Sequence, residues 1–162
     1  MSAILQAGVL ANSPCIVMVY DGSALAQQQL LHSEVLTRWS DAVFLLVAVM
    51  QEPASLQENE PADTVFPEAD AAERAHVHFI LERGADQLRA RGLRADAVSV
   101  EGSCVDEILR MVRTEAAALL IIAHRPESPL SHQWWQAHVV RRLIERAPCG
   151  VLLLAPPRSN VA

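Results

Sequence analysis

The sequence predicts a three-layer α/β/α sandwich built on a mainly parallel sheet of five strands. Three observations predict it: five short apolar runs, stretches of helical periodicity between successive runs, and connections long enough for right-handed parallel crossovers. The run Asp41 to Met50, DAVFLLVAVM, is apolar on both faces, which marks a strand covered by helices on either side.

The first strand is Cys15 to Tyr20, CIVMVY, rich in β-branched residues and ending at the turn Asp21-Gly22-Ser23. Ser23 then caps a helix whose apolar positions Leu25, Leu30, Leu31, Val35, Leu36 and Trp39 recur at helical spacing. After the second strand, residues 51–69 combine three prolines with a cluster of acidic side chains and no periodicity, so a surface loop, ordered only in part, is expected. A helix follows from Asp70 to Arg91, with Val77, Ile80, Leu81, Gly84 and Leu88 on one stripe and Arg91-Gly92 as its stop. Ala95 to Glu101 forms the third strand. Gly102-Ser103 opens a helix from Cys104 to Ala116 that turns Val105, Ile108, Leu109 and Val112 inward and places Asp106 and Glu107 in its first turn. Ala118 to Ala123 is the fourth strand, Ala137 to Arg146 the last helix and Val151 to Ala155 the fifth strand.

The 162 residues suit one domain, with a core expected from about 14 to 157. A formal charge of -6 opposes nucleic acid or an anionic membrane as the main partner, because both would repel an acidic surface. All 13 basic residues are arginine, a bias that a genome rich in G and C explains more simply than chemistry does. Cys15, Cys104 and Cys149 are an odd number with no close pair, so they read as small apolar fillers in a reducing cytoplasm. The N-terminal stretch has no basic region followed by a long apolar core, and no apolar run reaches the roughly 18 residues that span a bilayer. A protein of the cytoplasm is expected.

Asp21 stands where a strand ends and a helix begins, the place at which open parallel sheets bind ligands; it serves as a ligand contact or as a helix cap. His124, His132 and His138 come with no Cys or carboxylate at ligand spacing, so no metal site is expected. His76 and His78, two apart on a helix, point in different directions and belong to the surface. Trp134-Trp135 stands out in a chain that is 4% aromatic: one indole packs over the core and the other meets solvent or an interface, or the pair plugs the cleft. A nucleophile elbow, a Walker-type loop and a defensible pair of acids are all lacking, so no catalytic residue is assigned.

The turn Asp21-Gly22-Ser23, the strand end Glu101-Gly102, the strand end LLIIAHR and the closing RAPCGVLLL, taken in that order, resemble the universal stress protein family from about Cys15 to Pro157. The resemblance implies a fold of the adenine-nucleotide-binding type, a homodimer paired through the last strand (Val151, Leu152, Leu153 and Leu154), and a role in stress survival without defined catalysis. It also implies an adenosine contact at Asp21 and Gly22, with an adenine-pocket residue near Val47 to Val49, hence Ala48. ATP-binding members carry a spaced set of three glycines and then a Ser or Thr after the fourth strand. Here those positions fall on Ala123, Pro126, Ala137 and His138, and all four depart.

Glycines serve such loops because the backbone must bring N–H groups against phosphate oxygens. Pro126 and Pro129 have no N–H to donate, and each restricts the residue before it. A cradle of backbone amides is therefore not expected, and neither is a cofactor. Side-chain contacts from His124, Arg125 and His138, with the N–H groups of the helix that starts at Ala137, leave a sensor of AMP, ATP or another small anion as the alternative. A weak ATP-hydrolysing enzyme is the third reading.

Overall fold

The computed structural model describes residues 13–22, 24–32, 38–50, 67–123 and 137–154. Nine elements alternate along it: β1 (Cys15–Val19), α1 (Ala24–His32), β2 (Val43–Met50), α2 (Pro67–Arg89), β3 (Arg94–Glu101), α3 (Cys104–Thr114), β4 (Leu119–Ala123), α4 (Ala137–Arg146) and β5 (Gly150–Leu154). The five strands form one sheet in the order β3-β2-β1-β4-β5, and every neighbouring pair is parallel. The predicted α/β class is the observed one.

Alternation along the strands divides the core. Ile16 and Met18 of β1, with Tyr20 just after it, face the same way as Phe44, Leu46 and Ala48 of β2 and pack with Ala26 and Leu30 of α1 and Leu81, Ala85 and Leu88 of α2. Val17, Val19, Leu45, Val47 and Val49 point to the other face, against Val105, Ile108, Leu109 and Val112 of α3 and Val139 and Leu143 of α4. Burying each of these larger side chains stabilises the fold by roughly 1.5–3 kcal/mol. The inward residues expected of α3 are all buried, joined by Met111. The three cysteines behave as fillers: each is free and packs against the α3/α4 cluster. Burial pushes the thiols of Cys15 and Cys104 up to about 11, which keeps them protonated and unreactive.

The boundaries differ from expectation for local reasons. Helix α2 starts three residues before the expected Asp70 because Pro67 takes a first helical position, where its fixed φ is favourable and its missing N–H costs nothing. It ends at Arg89; Gly92 (φ +81°) lets the N–H of Leu93 reach back to the carbonyl of Leu88. Helix α3 stops two residues early because Ala116 turns left-handed (φ +46°), and Ala117 N–H then bonds the Val112 carbonyl. The expected continuation of α1 toward Trp39 falls partly on residues 33–37, outside the described ones. Trp39 itself packs half-buried against the core, and its carbonyl accepts from Ala42 N–H at the entry to β2. The expected loop at 51–69 lies outside the described residues up to 66, and 67–69 are helical.

Candidate functional site

The strand order locates the site. The chain runs β1 to β2 to β3 outward in one direction, then crosses back to place β4 on the other side of β1. Between β1 and β4 the connections diverge, which is the switch point where open parallel sheets have their ligand crevice, beyond the carboxyl ends of the strands. Val19 is paired with Ile122, so β1 and β4 end side by side at its floor.

Asp21 and Gly22 directly follow β1 at this point. The N–H of Tyr20 donates to the carbonyl of Val47 (3.0 Å), and beyond it the chain leaves the sheet. Asp21 is half-buried, and its Oδ2 is shielded from solvent. Gly22 has φ +70°, a left-handed conformation that favours glycine. Tyr20 is buried; burial first, then the neighbouring Asp21 carboxylate, pushes its hydroxyl up to about 12, with Arg83 opposing. The phenol stays neutral at physiological pH.

Of the other candidates, Ala48 is buried in the α1/α2 core beside Leu46, while Val47 and Val49 line the opposite face. Ala123 ends β4 and Ala137 begins α4. His138 is exposed in the first turn of α4, where the leading N–H groups of the helix have no intrahelical acceptor. His124, Arg125, Pro126, Pro129, His132, Trp134 and Trp135 lie outside the described residues. The structure therefore brings Asp21 and Gly22 to the crevice, and α4 begins downstream of the neighbouring strand.

Sequence reasoning missed the wall on the α2 side. A Cβ built on Gly22 would stand 1.9 Å from Cγ2 of Ile80, so this methyl sits directly over the turn. A Cβ on Gly84, one helical turn later, would meet Tyr20 Cε1 and Leu46 Cδ2, both at 2.8 Å. Beside them Arg83 stands over the exposed ring of Phe79, 5.8 Å from its centroid. Ile80 and Gly84 were legible as members of a helical stripe; their partners across the chain were not. Among the described residues no group of three or more His, Cys, Asp or Glu converges as a metal site would, and no helix is long and apolar enough to cross a membrane.

A carboxylate at the end of β1 can accept hydrogen bonds from hydroxyl or amine groups, and a helix N-terminus can face negative charge. Solved structures share this frame. The universal stress protein UspA from Lactobacillus plantarum superposes with a TM-score of 0.69 at 19% identity, covering 90% of this chain and 99% of that one. A universal stress protein from Archaeoglobus fulgidus in complex with dAMP gives 0.60 at 15% identity, covering 88% and 97%. A universal stress protein in complex with cAMP gives 0.61 at 18%, covering 89% and 98%. At these identities the likeness shows the fold. A search of curated proteins gave no significant match. The sequence itself matches the Universal stress protein family over residues 14–155, a span that takes in every strand and the crevice between β1 and β4, and the chain belongs to that family.

Proposed function

We propose that this chain is a non-catalytic, dimeric stress-adaptation protein of the cytoplasm that does not hold ATP through a glycine cradle. One observation carries the reading: the crevice keeps Asp21 at the end of β1, while the positions that would grip a triphosphate are Ala123, Pro126, Ala137 and His138. Proline offers no N–H, and a side chain in place of hydrogen holds phosphate oxygens away from the backbone. Calorimetry with ATP, ADP and AMP tests it. Heats no larger than dilution are expected for ATP, and micromolar ATP binding would overturn the reading.

Dimerisation is supported by the contrast between the two sheet edges. The β3 edge carries Arg94, Asp96 and Glu101, with Arg74 paired to Glu101 at 2.6 Å and Arg89 to Asp96 at 3.5 Å. Charges on an edge discourage a second strand from pairing there. At the other edge β5 reads Gly-Val-Leu-Leu-Leu, without a charge, and Leu153 is 42% exposed. A twin strand across a two-fold axis covers such an edge.

A second reading, a sensor of nucleoside monophosphates, is favoured by the relatives solved with dAMP and cAMP. A monophosphate needs fewer backbone N–H contacts than a triphosphate. Asp21 would take the nucleoside end, and Arg125, His138 and the start of α4 the phosphate. A rise in melting temperature with AMP supports it, and a flat response across a nucleotide panel removes it.

A further inference from the structure

We infer that Ile80 is a positioning residue for the crevice, its Cγ2 methyl pinning the turn that carries Asp21; the inference rests on the reading of Asp21 as the residue that meets a ligand.

The N–H of Tyr20 is bonded to the Val47 carbonyl of β2, and the turn that follows meets α2 from the side. The contact is specific to one branch of the isoleucine. From the Cβ position of Gly22 the nearest atoms are Cγ2 at 1.9 Å, Cβ at 3.2 Å and Cγ1 at 3.4 Å, all of Ile80. Four residues along the same helix face, Gly84 presses against Tyr20. The two close approaches therefore bracket Asp21: Tyr20 lies under Gly84 and Gly22 under Ile80. Helix α2 is itself anchored by Leu81, Ala85 and Leu88, all fully buried. The Cα–Cβ direction of Asp21 follows from the backbone angles of these three residues, so α2 fixes where that side chain starts before a ligand arrives. Ordering in advance removes a cost that binding would otherwise carry.

The experiment compares Ile80→Val, Ile80→Leu and Ile80→Ala, with Asp21→Asn as the control for the site. Val keeps the Cγ2 branch and loses volume; Leu keeps the volume and loses the branch. AMP affinity is measured by calorimetry, and the order of the Gly22 amide by ¹⁵N relaxation in unliganded protein. Ile80→Val should stay close to wild type. Ile80→Leu and Ile80→Ala should weaken AMP binding by roughly two- to tenfold, the cost of ordering a freed group on binding. They should also lower the Gly22 order parameter from the rigid-backbone value of about 0.85. If Leu matches wild type, or Gly22 stays equally ordered in Ile80→Ala, the pin is wrong. If wild type binds no AMP, or Asp21→Asn binds it unchanged, the reading of the site fails, and the Gly22 order parameters alone then decide for or against the pin.

Discussion

At Gly22 two independent demands meet, a left-handed backbone and an isoleucine methyl where any side chain would begin. Gly92 shows the first demand by itself: its φ is +81°, yet nothing lies within 4 Å of an added Cβ. The pair separates conformational cost from steric cost. Gly92→Ala should lower stability by about 1 kcal/mol, the left-handed penalty partly offset by a less flexible unfolded chain. Gly22→Ala adds overpacking to that penalty and should cost about 2–5 kcal/mol. Urea unfolding of both variants checks the order, and equal losses would show that Ile80 yields without resistance. The turn at Asp21-Gly22 was legible in the sequence because a strand running into Asp-Gly is a local signal; Ser23, expected to cap the next helix, lies outside the described residues. That Ile80 stands over the turn was not legible, since the contact joins residues far apart in the chain.

Between elements, a charge pair joins two helices that share one face of the sheet. Asp106 in the first turn of α3 meets Arg146 at the end of α4 at 3.3 Å. A hydrogen bond with the Ser103 side chain and then Arg146 hold its carboxyl below the usual carboxylate range. A carboxylate lowered in the folded state contributes stability above its unfolded pKa of about 3.9 and loses it as the pH falls through the lower folded value. Asp106 is exposed, so the contribution is screened and small. Asp106→Asn should therefore lower stability slightly at neutral pH and converge with wild type toward low pH, so that the acid side of its profile is shallower. Thermal unfolding from pH 7 down to pH 3 measures it, and identical profiles would remove Asp106 from the acid response. Helices α3 and α4 were readable from their apolar spacing, and the inward residues of α3 followed from it. The early stop of α3 was not readable, because an alanine at φ +46° gives no compositional signal.

For the whole molecule, the two sheet edges set the expected assembly. The charged β3 edge and the apolar β5 edge are the basis of the proposed pairing of β5 with its twin. Leu153→Lys places a charge at the centre of that edge and should convert a dimer into a monomer at micromolar concentration, read by sedimentation velocity. A wild type that is already monomeric would sink the dimer, and a variant that stays dimeric would move the interface elsewhere.

What the sequence determined by itself is the class and the cast: five apolar runs separated by helical periodicity, one family's order of turns, and alanine, proline and histidine where a phosphate cradle needs glycine and a hydroxyl. Each of these is carried within a few neighbouring residues, because pleat, helical repeat and turn chemistry act locally. Tertiary structure alone decided the strand order, and with it the switch point between β1 and β4. It also decided the clamp of Ile80 and Gly84 on the turn at Asp21 and the contrast between the β3 and β5 edges. Those features depend on which side chains meet across the sheet, and packing settles that only when the whole core closes at once.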